Sequence, residues 1–176
     1  MKQLNKTRIM VLSAMFLAIA FLLPFLTGQV PQIGAMLCPM HLPVILCGFI
    51  CGSPWGFLVG LLSPILRSLV LGMPPMFPKA ICMAMELAVY GAVSGLLYHT
   101  LPKKKCNIYI ALILAMIAGR GVWGLSMVLC MGIVGEPFGW KAFVLGAVTN
   151  AVPGIILQIV LIPLLVMGVE QMKIRS

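Results

Sequence analysis

Acidic residues are nearly missing from this chain: Asp and Glu together number 3 in 176 residues, and only 9% of positions are charged. No aspartate lies in any apolar run. A water-soluble domain is about a quarter charged and near half apolar. Here 62% of residues are hydrophobic and the mean hydropathy is +1.15. A surplus of that size has no place in a water-soluble core, so the expected solvent is lipid. Catalytic signatures are missing too. There is no GxxxxGK[ST] phosphate loop, no His-Glu-x-x-His and no Gly-x-Ser-x-Gly. Ser63 and Ser126 have no histidine base at their depth. The expectation is a protein that is not an enzyme, carries no cofactor and hydrolyses no ATP itself. The rings of like polar groups that build ion filters are also lacking. Aromatics reach only 8%, which argues against a site built on ring stacking.

What charge there is sits in telling places. The net charge is +9. Lys2, Lys6 and Arg8 open the chain, Lys103, Lys104 and Lys105 fill one loop, and Lys173 and Arg175 lie near the end. These are positions at which lysine and arginine fix membrane topology, so nucleic acid is not an expected partner. Six cysteines are present, but Cys47, Cys51, Cys82 and Cys130 lie in apolar runs, where a thiol behaves as a small hydrophobe. With Cys38 and Cys106 on opposite sides of the membrane, no disulfide is expected. The first apolar run is full-length and has no A-x-A exit, so it reads as a retained helix rather than a cleaved signal.

A spanning helix takes about 20 apolar residues. The sequence predicts an all-α integral membrane protein with a single six-helix domain, residues 1–176. Its helices run approximately over 8–26, 36–53, 54–71, 79–98, 108–134 and 142–169. The second is the short one, since Pro39 and Pro43 interrupt its beginning. Charge decides that it crosses. With the N-terminus cytoplasmic, the lysines at 103–105 must also be cytoplasmic, which needs an even number of spans before them. Both termini are then cytoplasmic, and the outer loops are 27–35, 72–78 and 135–141. Pro54 fits a first-turn proline of the third helix. Small residues recur every four positions at Ala14 and Ala18, at Gly48, Gly52, Gly56 and Gly60, and at Gly91 and Gly95. Such spacing lets backbones approach in lipid, where tight packing joins helices. The glycines read as seams within the bundle, and Ala14 and Ala18 either as the same or as a docking face for another membrane protein.

Ionisable side chains in hydrocarbon are expensive, so each needs a reason. Arg67, Glu86 and Arg120 stand out, with Asn150, Gln158 and Ser63 as neutral companions. At 1.5 Å per residue, Arg67 lies roughly 7 Å below the outer surface, Glu86 and Asn150 about 12 Å, and Arg120 about 20 Å. A shared cavity open to the outside would account for all of them. The alternative is a buried ion pair, Glu86 with Arg67 or Arg120, that only fixes helix register. Two arginines share one glutamate, so one cation is left over, and a guanidinium fork suits a carboxylate or phosphate. With Lys79 and Lys141 near the mouth, an anionic solute is expected. His41 follows Met36, Cys38 and Met40, a set that would suit a soft metal ion. Its other readings are a ligand contact or a cap on the distorted second helix.

End to end, the chain resembles an S component of an energy-coupling factor (ECF) transporter, a family of small six-helix bacterial vitamin binders. The resemblance rests on the basic start with Ala14-Met-Phe-Leu-Ala18, the Gly/Pro-bearing first outer loop, the stretch from His41 to Gly60, and the Pro-Pro turn before the fourth helix. It implies a multi-pass protein of the bacterial plasma membrane that captures a vitamin outside. A partner module of one transmembrane coupling subunit and two ATPase subunits would drive uptake. Ala14 and Ala18 would contact the coupling subunit. Substrate would lie near the outer face, under the first outer loop and beside 72–78 and 135–141. The last three helices would contribute to binding, which fits Glu86, Arg120 and Asn150. The family's transport model has the S component topple in the bilayer. The arginine excess points to a carboxylate-bearing vitamin of the pantothenate type. The competing readings are a stand-alone permease for a soft metal ion or small metabolite, and a non-transport accessory subunit.

Overall fold

Proline and glycine punctuate this chain, and the breaks they impose divide it into helices. The computed structural model describes residues 5–27, 38–102, 104–135, 139–147 and 151–175. Among them every regular element is helical. In chain order these are α1 (Lys6–Leu22), a 3-10 extension (Leu23–Thr27), α2 (His41–Cys51), α3 (Ser53–Leu71), a π turn (Met76–Ala80), α4 (Ile81–Thr100), α5 (Lys105–Val134), α6 (Trp140–Ala147) and α7 (Val152–Arg175). Five stretches are long and apolar enough to cross a membrane: Lys6–Phe25, Ser53–Leu71, Met76–Thr100, Lys105–Val134 and Val152–Gln171.

The expected second span, 36–53, is helical only over the 11 residues of α2, about 16 Å at 1.5 Å per residue. Pro39 precedes it in a turn, and Pro43 is held in its first turn, where no amide hydrogen bond is lost. Met36 lies outside the described residues, as do Gly28, Pro31 and Gly34 of the first outer loop. Gly52 ends α2 at φ +98°, a backbone state that favours glycine, and Pro54 then opens α3 as expected. The span expected over 142–169 is found as two described helices, α6 and α7, with residues 148–150 outside the described set.

α4 is the axis of the bundle. It packs on α2, α3 and α5, and its most apolar stretch is 56% buried against 17% for α1. The glycine seams explain this closeness. A Cβ on Gly56 would stand 2.5 Å from the Gly91 carbonyl oxygen, and one on Gly95 would stand 2.6 Å from the Ser53 amide nitrogen. Gly48, Gly60 and Gly91 face backbone in the same way. The recurrent small residues therefore serve packing within α2–α3–α4, as van der Waals association in lipid requires. Gly52 is the exception: it makes the turn between α2 and α3. Phe49, Tyr98, Ile108, Leu112, Ile162 and Val166 fill the space among α2, α4, α5 and α7. Tyr98 donates its hydroxyl proton to Glu170 and ties α4 to α7. α1 is peripheral, burying only Ser13 and Ala20.

Candidate functional site

Two helices meet a third where α2 starts. Because α2 is short, its first residue, His41, lies level with Glu86, more than a turn inside α4. Glu86 and Tyr90 are one turn apart on α4 and share a face. Across from them is Arg120 in the middle of α5. Arg120 Nη1 is 3.0 Å from Glu86 Oε1, and His41 Nε2 is 3.5 Å from the same oxygen. Arg120 Nη2 donates to Cys38 Sγ at 3.7 Å. The His41 ring meets Tyr90 edge-on at 5.1 Å, and Tyr90 in turn lies against Gly119, next to Arg120. The pair expected between Glu86 and an arginine is thus formed with Arg120.

This cluster is poorly satisfied for its depth. The Glu86 side chain is 2% exposed, His41's 3%, and Arg120's 15%. His41 Nδ1 and Nε2, Glu86 Oε1 and Arg120 Nε are fully buried with no partner in hydrogen-bond geometry among the described residues. The ions are close, yet their N–H vectors do not point at the shared oxygen. Buried polar groups are almost always paired, and leaving one unpaired costs about 1–3 kcal/mol. Four such atoms lie together in this cluster.

A groove of about 230 Å³ lies against α5 beyond Arg120, lined by Gly121, Gly124, Leu125, Val128, Trp140 and Phe143. Gly124 follows Arg120 by four residues and so shares its face of α5. The ring of Phe143 sits against Gly124, and that of Trp123 against Gly146. Trp140 and Phe143 stack at 5.3 Å. An overall aromatic content of 8% argues against such a set, but composition does not record that three aromatics from α5 and α6 gather in one place.

The remaining expected site residues lie apart or outside the described set. Arg67 does not join the cluster. Its Nη1 donates to the Phe21 carbonyl at 3.0 Å, and its guanidinium lies over the Phe25 ring at 5.3 Å. The physical reason is local: the last carbonyls of α1 have no helical partner, and a cation there also meets the negative end of the helix dipole. Lys79 is exposed on the π turn, seven residues ahead of Glu86. Asn150 falls outside the described residues. His41 does not cap α2, since it turns to Glu86 and no side chain caps that helix. Met36 of the soft-metal set is likewise outside. Among the described residues no group of three or more His, Cys, Asp or Glu side chains could hold a metal ion. Ser63 bonds to the Val59 carbonyl at 2.6 Å, and Gln158 is buried on α7. Ala14 and Ala18 are exposed on α1 beside a second groove, between α1 and α3.

Comparison with curated proteins and with solved structures gives no significant match. The family model of the ECF transporter substrate-specific component matches residues 8–166, from Arg8 through most of α7. The chain therefore belongs to the family of ECF transporter substrate-specific components, multi-pass membrane proteins that work with a module of membrane and ATPase subunits.

Proposed function

We propose that this chain captures a carboxylate-bearing vitamin or related small metabolite at the outer face of a bacterial plasma membrane. A partner coupling subunit and two ATPase subunits then drive its delivery inward. In this reading the bundle has six spans with both termini cytoplasmic, α2 with its preceding turn making the sixth crossing. The chain does no chemistry on its ligand.

One observation carries the reading: polar atoms of His41, Glu86 and Arg120 without hydrogen bonds lie buried together, and a groove against the same helix α5 is lined by Gly124, four residues on from Arg120. Glu86 holds the Arg120 guanidinium in place, and the spare donors of that fork receive the ligand's carboxylate, a charge-assisted contact. Trp140, Phe143 and the flanking glycines accept the apolar body. Such a mix of apolar walls with few convergent polar groups is the usual make-up of a small-molecule site. Ala14 and Ala18 are the docking face toward the coupling subunit. Arg67, turned to α1, is left out of the ligand site.

The test is direct. The small molecule that survives purification is identified by mass spectrometry, and its binding, with pantothenate as the first probe, is measured by calorimetry. Arg120→Ala should abolish binding while the protein still inserts and elutes normally, and chelators should have no effect. Unchanged affinity in that variant refutes the site; affinity that disappears with a chelator refutes the substrate class.

A further inference from the structure

Counting charge in the buried cluster exposes a deficit that a bound anion would create. Empty, the cluster holds one cation and one anion, Arg120 and Glu86, 3.0 Å apart. Its third member, His41, has both ring nitrogens buried without a hydrogen bond among the described residues. His41 Nε2 lies 3.5 Å from Glu86 Oε1, the same oxygen that Arg120 faces. A ligand carboxylate on the Arg120 fork makes two anions share one cation. One excess negative charge at that depth is expensive unless it is neutralised on the spot.

No second fixed cation among the described residues is placed to do so. The titratable groups around His41 are Glu86 and Tyr90 of α4, Arg120 of α5, and Cys38 just ahead of α2. A carboxyl, a phenol and a thiol carry no positive charge in any state. Of the other helices packed on α2, α3 brings Arg67, which is turned to Phe21 and Phe25 of α1. α7 brings Glu170, bound to Tyr98, and α1 brings Lys6 and Arg8, exposed at its start. Lys79 and Lys141 are exposed as well. His41 itself remains, and an imidazole gains a charge near neutral pH by taking up a proton.

We propose that His41 is a proton-binding site coupled to capture: an anionic ligand enters together with one proton, which charges His41 and pairs it with Glu86. Both ring nitrogens are donors in the imidazolium, so Nε2 can donate to Glu86 Oε1 while the Arg120 fork serves the ligand. The loaded site then carries the same net charge as the empty one. The coupling rests on Arg120 being the carboxylate receptor. Its own content is that Glu86 always keeps a cation, with His41 standing in when Arg120 is drawn away.

The chain has only two histidines, His41 and His99, so isotope-labelled histidine rings in the full chain in detergent can be followed singly by nitrogen NMR. His41→Gln assigns the signal. Just above neutral pH the His41 ring should be neutral in the empty protein and an imidazolium once pantothenate is added. Pantothenate affinity, by calorimetry, should rise up to about tenfold for each pH unit lowered toward neutrality, the limit for one coupled proton. The ligand-free variant Arg120→Gln, which removes the cation outright, should show the imidazolium at the same pH. A neutral His41 ring in that variant or in the pantothenate complex overturns the proposal. So does an imidazolium already present in the empty wild type. Should Arg120→Gln fail to insert, the wild-type complex decides. Should pantothenate not bind, the choice of that substrate fails, and the ligand-free variant still decides the coupling.

Discussion

A glutamate in hydrocarbon survives only with a cation at hand, and Glu86 has two candidates. Arg120 is the nearer, and a guanidinium keeps its charge where a histidine need not. The pair is held without good hydrogen-bond geometry, so removing one member exposes the cost of the other. Glu86→Gln should destabilise the bundle by about 3 kcal/mol, because it leaves the Arg120 charge unpaired at depth. Adding Arg120→Gln should restore part of that loss in a double-mutant cycle followed by thermal unfolding in detergent; an additive result would show the two side chains to be independent. Both residues were legible in the sequence because charge inside an apolar run is rare and each needs a partner. Arg67 looked identical by that criterion. What separates it is a backbone carbonyl at the end of α1, and no residue pattern records where another helix ends.

Among the elements, α2, α3 and α4 meet through glycine, and their boundaries were largely written in the chain. Gly52 and Pro54 marked the turn between α2 and α3 to within a residue, and the four-residue spacing of small side chains marked the contact. The late start of α2 was visible only as a warning from Pro39 and Pro43. Its consequence, that His41 arrives level with Glu86, needed the packing. The aromatic groove was hidden for a similar reason: Trp123, Trp140 and Phe143 come together only once α6 lies against α5. A Cβ at Gly91 would fall 2.9 Å from the Gly56 α-carbon, and backbone cannot step aside as a side chain does. Gly91→Ala should therefore cost about 1–3 kcal/mol through overpacking, read as a lowered melting temperature with helix content unchanged. Gly121→Ala, which meets nothing within 4 Å, is the control and should leave the melting temperature alone.

For the molecule as a whole, composition and charge placement announced a membrane bundle, and membership of the ECF substrate-specific components agrees with that. The direction of each span rests on lysine placement, which is a bias of the whole chain and not of any helix. Among the candidate spans α1 is the least buried. Ala14→Trp with Ala18→Trp should abolish co-purification with the ATPase-bearing module while ligand affinity in the isolated chain stays the same. Loss of affinity in that variant would mean that α1 shapes the ligand site through its packing on α2.

The backbone-on-backbone seam through Gly48, Gly56, Gly60, Gly91 and Gly95 has a mechanical consequence. Helices separated by side chains can slide, since rotamers give way; helices pressed main chain to main chain have nothing between them to yield. α2, α3 and α4 must therefore travel as one stiff keel, carrying Glu86 and His41 with it. Adjustment around a ligand is easier at the contact of α4 with α5, where a side chain, Tyr90, stands between the helices at Gly119. Arg120, next to Gly119, lies at that more yielding contact.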